Sequence, residues 1–489
     1  MDPQPSVHTR SGNFLEPNAN DRGHEPSPYS SPISCLSEDL LTLILHMVRD
    51  SFDDLDDSAA RAKVPFIASH VSRFWRFCAI GYPFLWSTIV IILPWNQDIV
   101  EAYLRRSKQC FLDISFMGND EIRSGFIPTV TSEDYQHLFS LLLPHFPRCR
   151  SLDTRRAFDN DDANIPFTIL EQLLETDMPH LDKLILAIDP YIYDDEFTER
   201  GVQSLFPSSP LLRDLRVVGI GVERFSLPSS PFSNRAALKT LHLSRISGYH
   251  TTTFSELKVV LQACPSLTSL AIYDDLLSDW PGISDSFEVP TLESIYILGN
   301  MLTVSELLLY LISPNLKELV VAPFVPADLN LLFAQSSNDR SRFSSLRELK
   351  VALANADAYE ALQKASACFP EVEYILLASL HHFDFTEFFT FKGEGDDTDF
   401  FFPNLLDLAL TDVDETYCKG IRDVQVFRAQ HHLPLRTVYV DSDSLQLIKS
   451  KIATEGQTLD LDVVEGNFWE ALRKGLLYSE DEGAFVGRF

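Results

Sequence analysis

Two histidine pairs, His381–His382 and His431–His432, are the first candidates for metal chemistry in this chain. A helix presents two ligands on one face when they stand four residues apart, whereas adjacent histidines diverge. Both pairs therefore read as surface or loop histidines. The "GIG" at 219–221 follows a strand-like run and could open a dinucleotide fingerprint. Arg224 stands where the third glycine is needed, and no helical pattern follows. The "GEG" at 393–395 lies among acids that repel phosphate. No G-x-S-x-G, H-E-x-x-H or Walker loop occurs. Carboxylates are plentiful, but most fall in loop-like runs such as "DPYIYDDEFTE", where solvated acids keep ordinary pKa values. The reading is a chain with no catalytic residues, no metal and no cofactor. An enzyme with a scattered triad is the alternative the residues leave open.

What remains is binding, and the totals limit its kind. The chain has 489 residues and a formal charge of −30, with 45% apolar residues. So negative a surface repels phosphate backbones and anionic lipid, so neither nucleic acid nor membrane is an expected partner. The seven cysteines form no C-x-x-C pair, and their odd number does not suit a disulfide framework. Most sit beside apolar residues and read as buried thiols of a reducing compartment, cytoplasmic or nuclear. The start, "MDPQPSVHTRSGNFLEPNAN", has no apolar core of a secretory signal. The run "LWSTIVIILPW" is too short to span a bilayer and is rich in β-branched residues, so a buried strand is expected there.

The elements fall into blocks. Residues 1–31 are rich in Pro, Ser, Asn and Gly and are expected to be a disordered tail. "LSEDLLTLILHMV" places Leu40, Leu41, Ile44, Leu45 and Val48 on one helical face, with Ser37 as N-cap. After the acidic run "RDSFDDLDD", a second helix is expected to start near Val64 or Pro65. It would carry Ile67, Val71, Phe74, Trp75 and Cys78 at helical spacing. Pro83 is placed to open a third. A domain this small has a marginal core and leans on a partner or neighbour.

From residue 149 a motif close to L-x-x-L-x-L returns eleven times, from "CRSLDT" at Cys149 to "LRTVYV" at Leu435. The intervals run from 24 residues, between Leu292 and Leu316, to 33, between Val372 and Leu405. Proline often stands two residues ahead, as at Pro179, Pro265 and Pro403. Helical candidates such as "FSELKVVLQAC", "VSELLLYLI" and "AYEALQKASAC" lie between the motifs. A fixed motif at this period points to a leucine-rich-repeat solenoid, one strand and one helix per unit. An ordinary α/β domain with accidental regularity is the rival. The last two apolar positions of each motif are two apart and share the inner face of a strand. The residue between them points outward. Those residues include Ile185, Arg216, His242, Ala271, Tyr296, Val320, Lys350, Leu376, Ala409 and Tyr439, and stacked strands would align them into one strip. Arg216, His242, Tyr296, Lys350 and Tyr439 are the candidate substrate face. "NFWEALRKGLLYS" is amphipathic and is expected to cap the far end.

Residues 32 to 89 resemble the F-box-like domain of fungal F-box proteins. The resemblance rests on Ile33, Leu36, Asp39, Leu40, Leu41 and Ile44. It continues through Val71, Ser72, Trp75 and Arg76 to Pro83, Leu85, Trp86, Ser87 and Ile89. Ser37 replaces the usual proline, and the acidic insertion between the first two helices is longer than usual. "VEAYLRRSKQCFLDISF" is similar to the helix and strand that follow the domain in that family. The resemblance implies a substrate receptor of a cullin-RING ubiquitin ligase, with the F-box on a Skp-type adaptor, a cullin scaffold beyond it, and an unknown protein substrate on the repeats. By it, Leu36, Leu40, Leu41, Ile44, Val71, Trp75 and Trp86 build the helical module or its docking face. A repeat scaffold without a ubiquitin role is the alternative.

The expected fold is therefore α/β: a small N-terminal helical F-box, an irregular leucine-rich-repeat solenoid and a C-terminal helical cap. The expected blocks are a tail over 1–31, the F-box-like domain over 32–93, a connecting helix and strand over 94–145, the repeats over 146–466 and the cap over 467–489.

Overall fold

The computed structural model describes residues 36–52, 58–92, 95–117, 131–154, 176–187, 209–218, 236–244, 252–273, 286–298, 307–324, 342–353, 358–378, 385–390, 400–411, 415–441, 444–446, 448–450 and 462–465, with isolated positions at 173, 277–278, 329 and 413. The tail over 1–31, the cap over 467–489, and the glycine motifs near 220 and 394 lie outside the described residues, as do Ile33 and His381–His382.

Three helices open the described chain. Ser37 caps α1 (Glu38–Asp50), its side chain accepting from the Leu40 amide, and Glu38 and Asp39 face the positive end of the helix dipole. The structure then departs from the sequence reading. The second helix, α2 (Ser58–Val71), begins at Ser58 and keeps Pro65 inside it. It ends before Ser72, which is extended and caps a separate helix, α3 (Arg73–Gly81), through the Trp75 amide. Val71 and Cys78 are thus on different helices, because a serine whose side chain can satisfy a free amide starts a new helix. Pro83 does open a short 3-10 turn, Pro83–Trp86.

The rest is organised by one large sheet of fourteen strands, every pairing in it parallel. In chain order these are β1 (Thr88–Ile92), β2 (Leu112–Met117), β3 (Cys149–Asp153), β4 (Lys183–Ala187), β5 (Asp214–Val218), β6 (Thr240–Ser244), β7 (Ser269–Tyr273), β8 (Ser294–Leu298), β9 (Glu318–Phe324), β10 (Glu348–Leu353), β11 (Tyr374–Ala378), β12 (Asp407–Leu410), β13 (Thr437–Val440) and β14 (Asp462–Glu465). Spatial order equals chain order throughout. All eleven motifs end in strands, and β1, β2 and β14 extend the sheet beyond them. The sheet therefore begins inside the block assigned to the helical domain. Parallel neighbours need crossovers. Among the described crossover elements are α4 (Gln97–Arg106), α5 (Ser132–Leu142), α6 (Phe254–Gln262), α7 (Ala358–Cys368), α8 (Phe385–Thr390) and α9 (Glu415–Gln430). "VSELLLYLI" departs from its helical reading at its end, where Leu311–Ile312 is a short strand paired with Phe287–Glu288.

The motif's proline has a local cause. In most motifs the amide at the first position closes a turn onto the carbonyl three residues back, as in Leu181 to Met178, Leu267 to Cys264, Leu292 to Val289 and Leu405 to Phe402. Pro179, Pro265, Pro290 and Pro403 then stand second in the turn, where their fixed φ is suited. Beside the turns a backbone ladder runs from motif to motif. Asp182 donates to Arg150, Arg213 to Asp182, Lys239 to Arg213 and Thr268 to Lys239, each at 2.8–2.9 Å.

The motif leucines make the core. Leu181, Leu184, Leu186, Leu267, Leu270 and Ile272 are at most 1% exposed and pack in one continuous cluster. Each such side chain contributes about 1.5–3 kcal/mol on burial. That cluster also contains Leu41, Leu45, Ala68, Cys78 and Trp86, so the helical head and the sheet share one interior. Polar clamps reinforce the join. The buried Arg49 guanidinium donates to Ser87 Oγ at 3.0 Å and Thr88 Oγ1 at 2.9 Å, and it lies 4.0 Å over the Phe84 ring. Trp86 Nε1 donates to the Ala79 carbonyl at 2.7 Å, and Tyr103 Oη to the Ala62 carbonyl at 2.6 Å. Burial pushes the Tyr103 phenol up to about 12, which keeps it a donor.

Candidate binding surfaces

The first surface lies on the helical head. In α1, Leu41, Leu45 and Arg49, spaced by four, turn inward. Leu40, Leu43, Ile44, Met47 and Val48, spaced by three and four, remain exposed. The single face expected for Leu40, Leu41, Ile44, Leu45 and Val48 is therefore split in two. Phe66, Ile67 and Val71 of α2 are exposed as well, as are Phe74, Phe77 and Ile80 of α3, with Met47 at 65% and Phe77 at 64%. Eleven large apolar side chains on three short helices exceed the scattered exposure usual at a surface.

Between α1 and α3 runs an open cleft of about 400 Å³, lined by Glu38, Asp39, Leu43, His46, Cys78 and Gly81 among others. Burial pushes the Cys78 thiol up, with Glu38 adding to it. His46 Nδ1 lies 3.3 Å from Asp50 Oδ2 without the alignment of a hydrogen bond, and its ring meets Phe84 edge-on at 4.7 Å.

The seven residues proposed for docking divide. Leu40, Ile44 and Val71 are exposed, and Leu36 and Trp75 are half-buried. Leu41 at 0% and Trp86 at 2% offer no surface to a partner, because both are packed into the shared core. Leu43, Met47, Val48, Phe66, Ile67, Phe74, Phe77 and Ile80 are exposed as well but are not among the seven. A signal for α1 was available: its apolar positions cover more of the helix than one buried stripe can use.

The second surface is the sheet face opposite the motif leucines. Its central row is continuous in register. Ile185 pairs with Arg216, Arg216 with His242, His242 with Ala271, and Ala271 with Tyr296. Val320, Lys350, Leu376, Ala409 and Tyr439 follow in turn. All ten residues read as outward-pointing thus share one row, but most are not solvent-exposed. Ile185, Ala271, Val320, Leu376 and Ala409 are fully buried, His242 is 2% exposed and Lys350 8%. Arg216, Tyr296 and Tyr439 are half-buried. Alternation fixes which face a side chain takes, not what covers that face, so the strip is less open than the spacing suggests.

The row holds two polar groups. At one end Arg216 grips Asp214 through Nε at 3.1 Å and Nη2 at 3.2 Å, and Lys183 lies 3.5 Å from the same carboxylate. Burial acts to raise Asp214, but Arg216 and Lys183 together hold it below its usual range. His242, beside this group, is pushed down to about 3, first by burial and then by Arg216, so it is neutral at ordinary pH. Further along, Tyr296 Oη donates to Glu318 at 2.7 Å, and Lys350 Nζ contacts both Glu318 and Glu348. The same ammonium lies 5.7 Å from the Tyr374 ring centre, and Tyr374 stands 6.1 Å from Tyr439. These charged and phenolic groups are partnered within the chain, and no nucleophile and base are paired among them.

His431 and His432 occupy a turn after α9, with His431 Nδ1 2.8 Å from the Phe427 carbonyl. Among the described residues no three His, Cys, Asp or Glu side chains converge as metal ligands, and no helix is long and apolar enough to cross a membrane. No protein-family model matches the chain, and no curated protein matches it either.

Proposed function

We propose that this chain is a substrate-recognition subunit of an SCF-type cullin-RING ubiquitin ligase. Its helical head is an F-box that docks on a Skp-type adaptor, which ties it to the cullin scaffold. Its sheet region is an irregular leucine-rich-repeat solenoid that holds a target protein for ubiquitin-dependent degradation. The chain itself makes and breaks no bond, and it works in the cytoplasm or nucleus, where that machinery operates.

The observation that carries this reading is the exposure of eleven large apolar side chains on the three helices, Leu40, Ile44 and Val71 among them. Exposed apolar area of that extent marks a protein interface. The order of Val71, Ser72, Trp75, Arg76, Pro83, Leu85 and Trp86 supports the F-box. The chain-ordered parallel strands and recurrent turns support the solenoid.

A second reading is a repeat scaffold with no ubiquitin role. It is favoured by the continuous core, in which Leu41 and Trp86 serve the sheet as a cap would. Co-purification with a recombinant Skp adaptor decides between them. The double variant Leu40→Glu, Ile44→Glu loses the adaptor under the ligase reading. Failure of the unaltered chain to capture any adaptor leaves the scaffold.

A further inference from the structure

The cleft between α1 and α3 has a chemistry distinct from the apolar surface around it. Of its lining residues Glu38, Asp39 and Leu43 are exposed and Cys78 is buried, and none is Lys or Arg. A first-turn acid complements a helix dipole without needing any cleft. Here the two acids border an open space that the fold does not fill. A Cβ added to Gly81 would meet nothing within 4 Å. The same two helices expose Met47, Phe77 and Ile80.

We propose that this cleft is a specific subsite of the docking surface, and that it takes a partner segment presenting a lysine or arginine next to a bulky apolar side chain. The inference rests on the docking reading above and commits to the adaptor as the occupant. The cation pairs with Glu38 and Asp39, and the apolar neighbour fills the space above Leu43 and Gly81. Charge complementarity decides for a basic segment, since an acidic one would meet two carboxylates with no Lys or Arg in the lining. The acids set attraction and salt response, while the apolar part supplies most of the affinity.

Two variants test the two halves separately. Gly81→Leu fills the cleft in open space on a helix end, so the thermal midpoint stays level or rises. Capture of a recombinant Skp adaptor by this variant falls about tenfold or more. The pair Glu38→Gln, Asp39→Gln removes the charge while leaving polar side chains in place. For the unaltered chain, affinity drops as salt rises from about 50 mM to about 500 mM, and the Gln pair flattens that dependence. Adaptor binding by Gly81→Leu and the Gln pair equal to that of the unaltered chain, with the same salt response, overturns the subsite and leaves the docking reading intact. No adaptor bound by the unaltered chain removes both. A concentration-dependent dimer that Gly81→Leu abolishes, with adaptor binding unchanged, assigns the cleft to a second copy of the chain and overturns the proposal.

Discussion

The helical head and the far face of the sheet solve opposite problems. The head puts apolar groups outside, with Met47 and Phe77 both more than 60% exposed, yet seals the Arg49 guanidinium inside. The sheet withdraws most of its central row from water and surrounds the charges there with matching ones, Asp214 with Arg216 and Lys183, Lys350 with Glu318 and Glu348. A buried charge with its counter-charge is a satisfied group, which explains itself within one chain. An exposed apolar helix face is unsatisfied, and the chain contains no described element to cover it. The difference teaches where to look for a partner: the head advertises a missing surface more clearly than the row does.

The strongest way to break this contrast is to remove what the two regions share. Trp86→Ala should cost about 3–5 kcal/mol, because a buried indole leaves a cavity and frees the Ala79 carbonyl. With one continuous core, tryptophan fluorescence and far-UV circular dichroism should shift together to lower urea. Separate transitions for head and sheet would show two independent units.

A smaller effect, confined to the row, comes from acid. His242 has a folded pKa of about 3, below the ordinary imidazole value near 6.5. Below that ordinary value the unfolded chain takes up a proton that the folded chain refuses. The contribution is thus fully present above about pH 6.5 and is lost as pH falls toward about 3. Between pH 7 and pH 5 the loss amounts to about 2 kcal/mol. His242→Leu should flatten that part of the stability profile in urea titrations, and an unchanged slope would show that the imidazole is hydrated. The smallest effect belongs to the head's surface. Phe77→Ser should alter stability by less than about 0.5 kcal/mol. Light scattering should show less self-association at high concentration. A loss comparable to that of Trp86→Ala would mean that Phe77 is structural after all.

The sequence made some of this legible and hid the rest for physical reasons. The eleven motifs are visible because they repeat the same local demand: a turn, often led by proline, then alternate apolar residues. Ten residues between those apolar positions fall on one row because strand alternation has a fixed period of two. Strands at Thr88–Ile92 and Leu112–Met117 are readable from their β-branched or alternating residues. Their membership of the sheet is not, since they lack the motif and pairing is a tertiary event. On α1, periodicity shows an apolar helix but cannot choose between Leu41 inward and Leu40 outward. That choice follows from the neighbours, above all from Arg49 reaching Ser87 and Thr88 at the start of β1. The cleft beside Gly81 leaves no trace in the chain, because a void has no residue of its own.

Strand order that never departs from chain order has a bearing on how such a molecule is altered over time. Each strand of the sheet pairs only with the strand before and the strand after, so a segment gained or lost between two turns lengthens or shortens the row without re-pairing the others. Loops beyond the strand ends can be exchanged one at a time under the same rule. A surface built this way can be retuned piecemeal while the head, joined at one end, keeps its own shape.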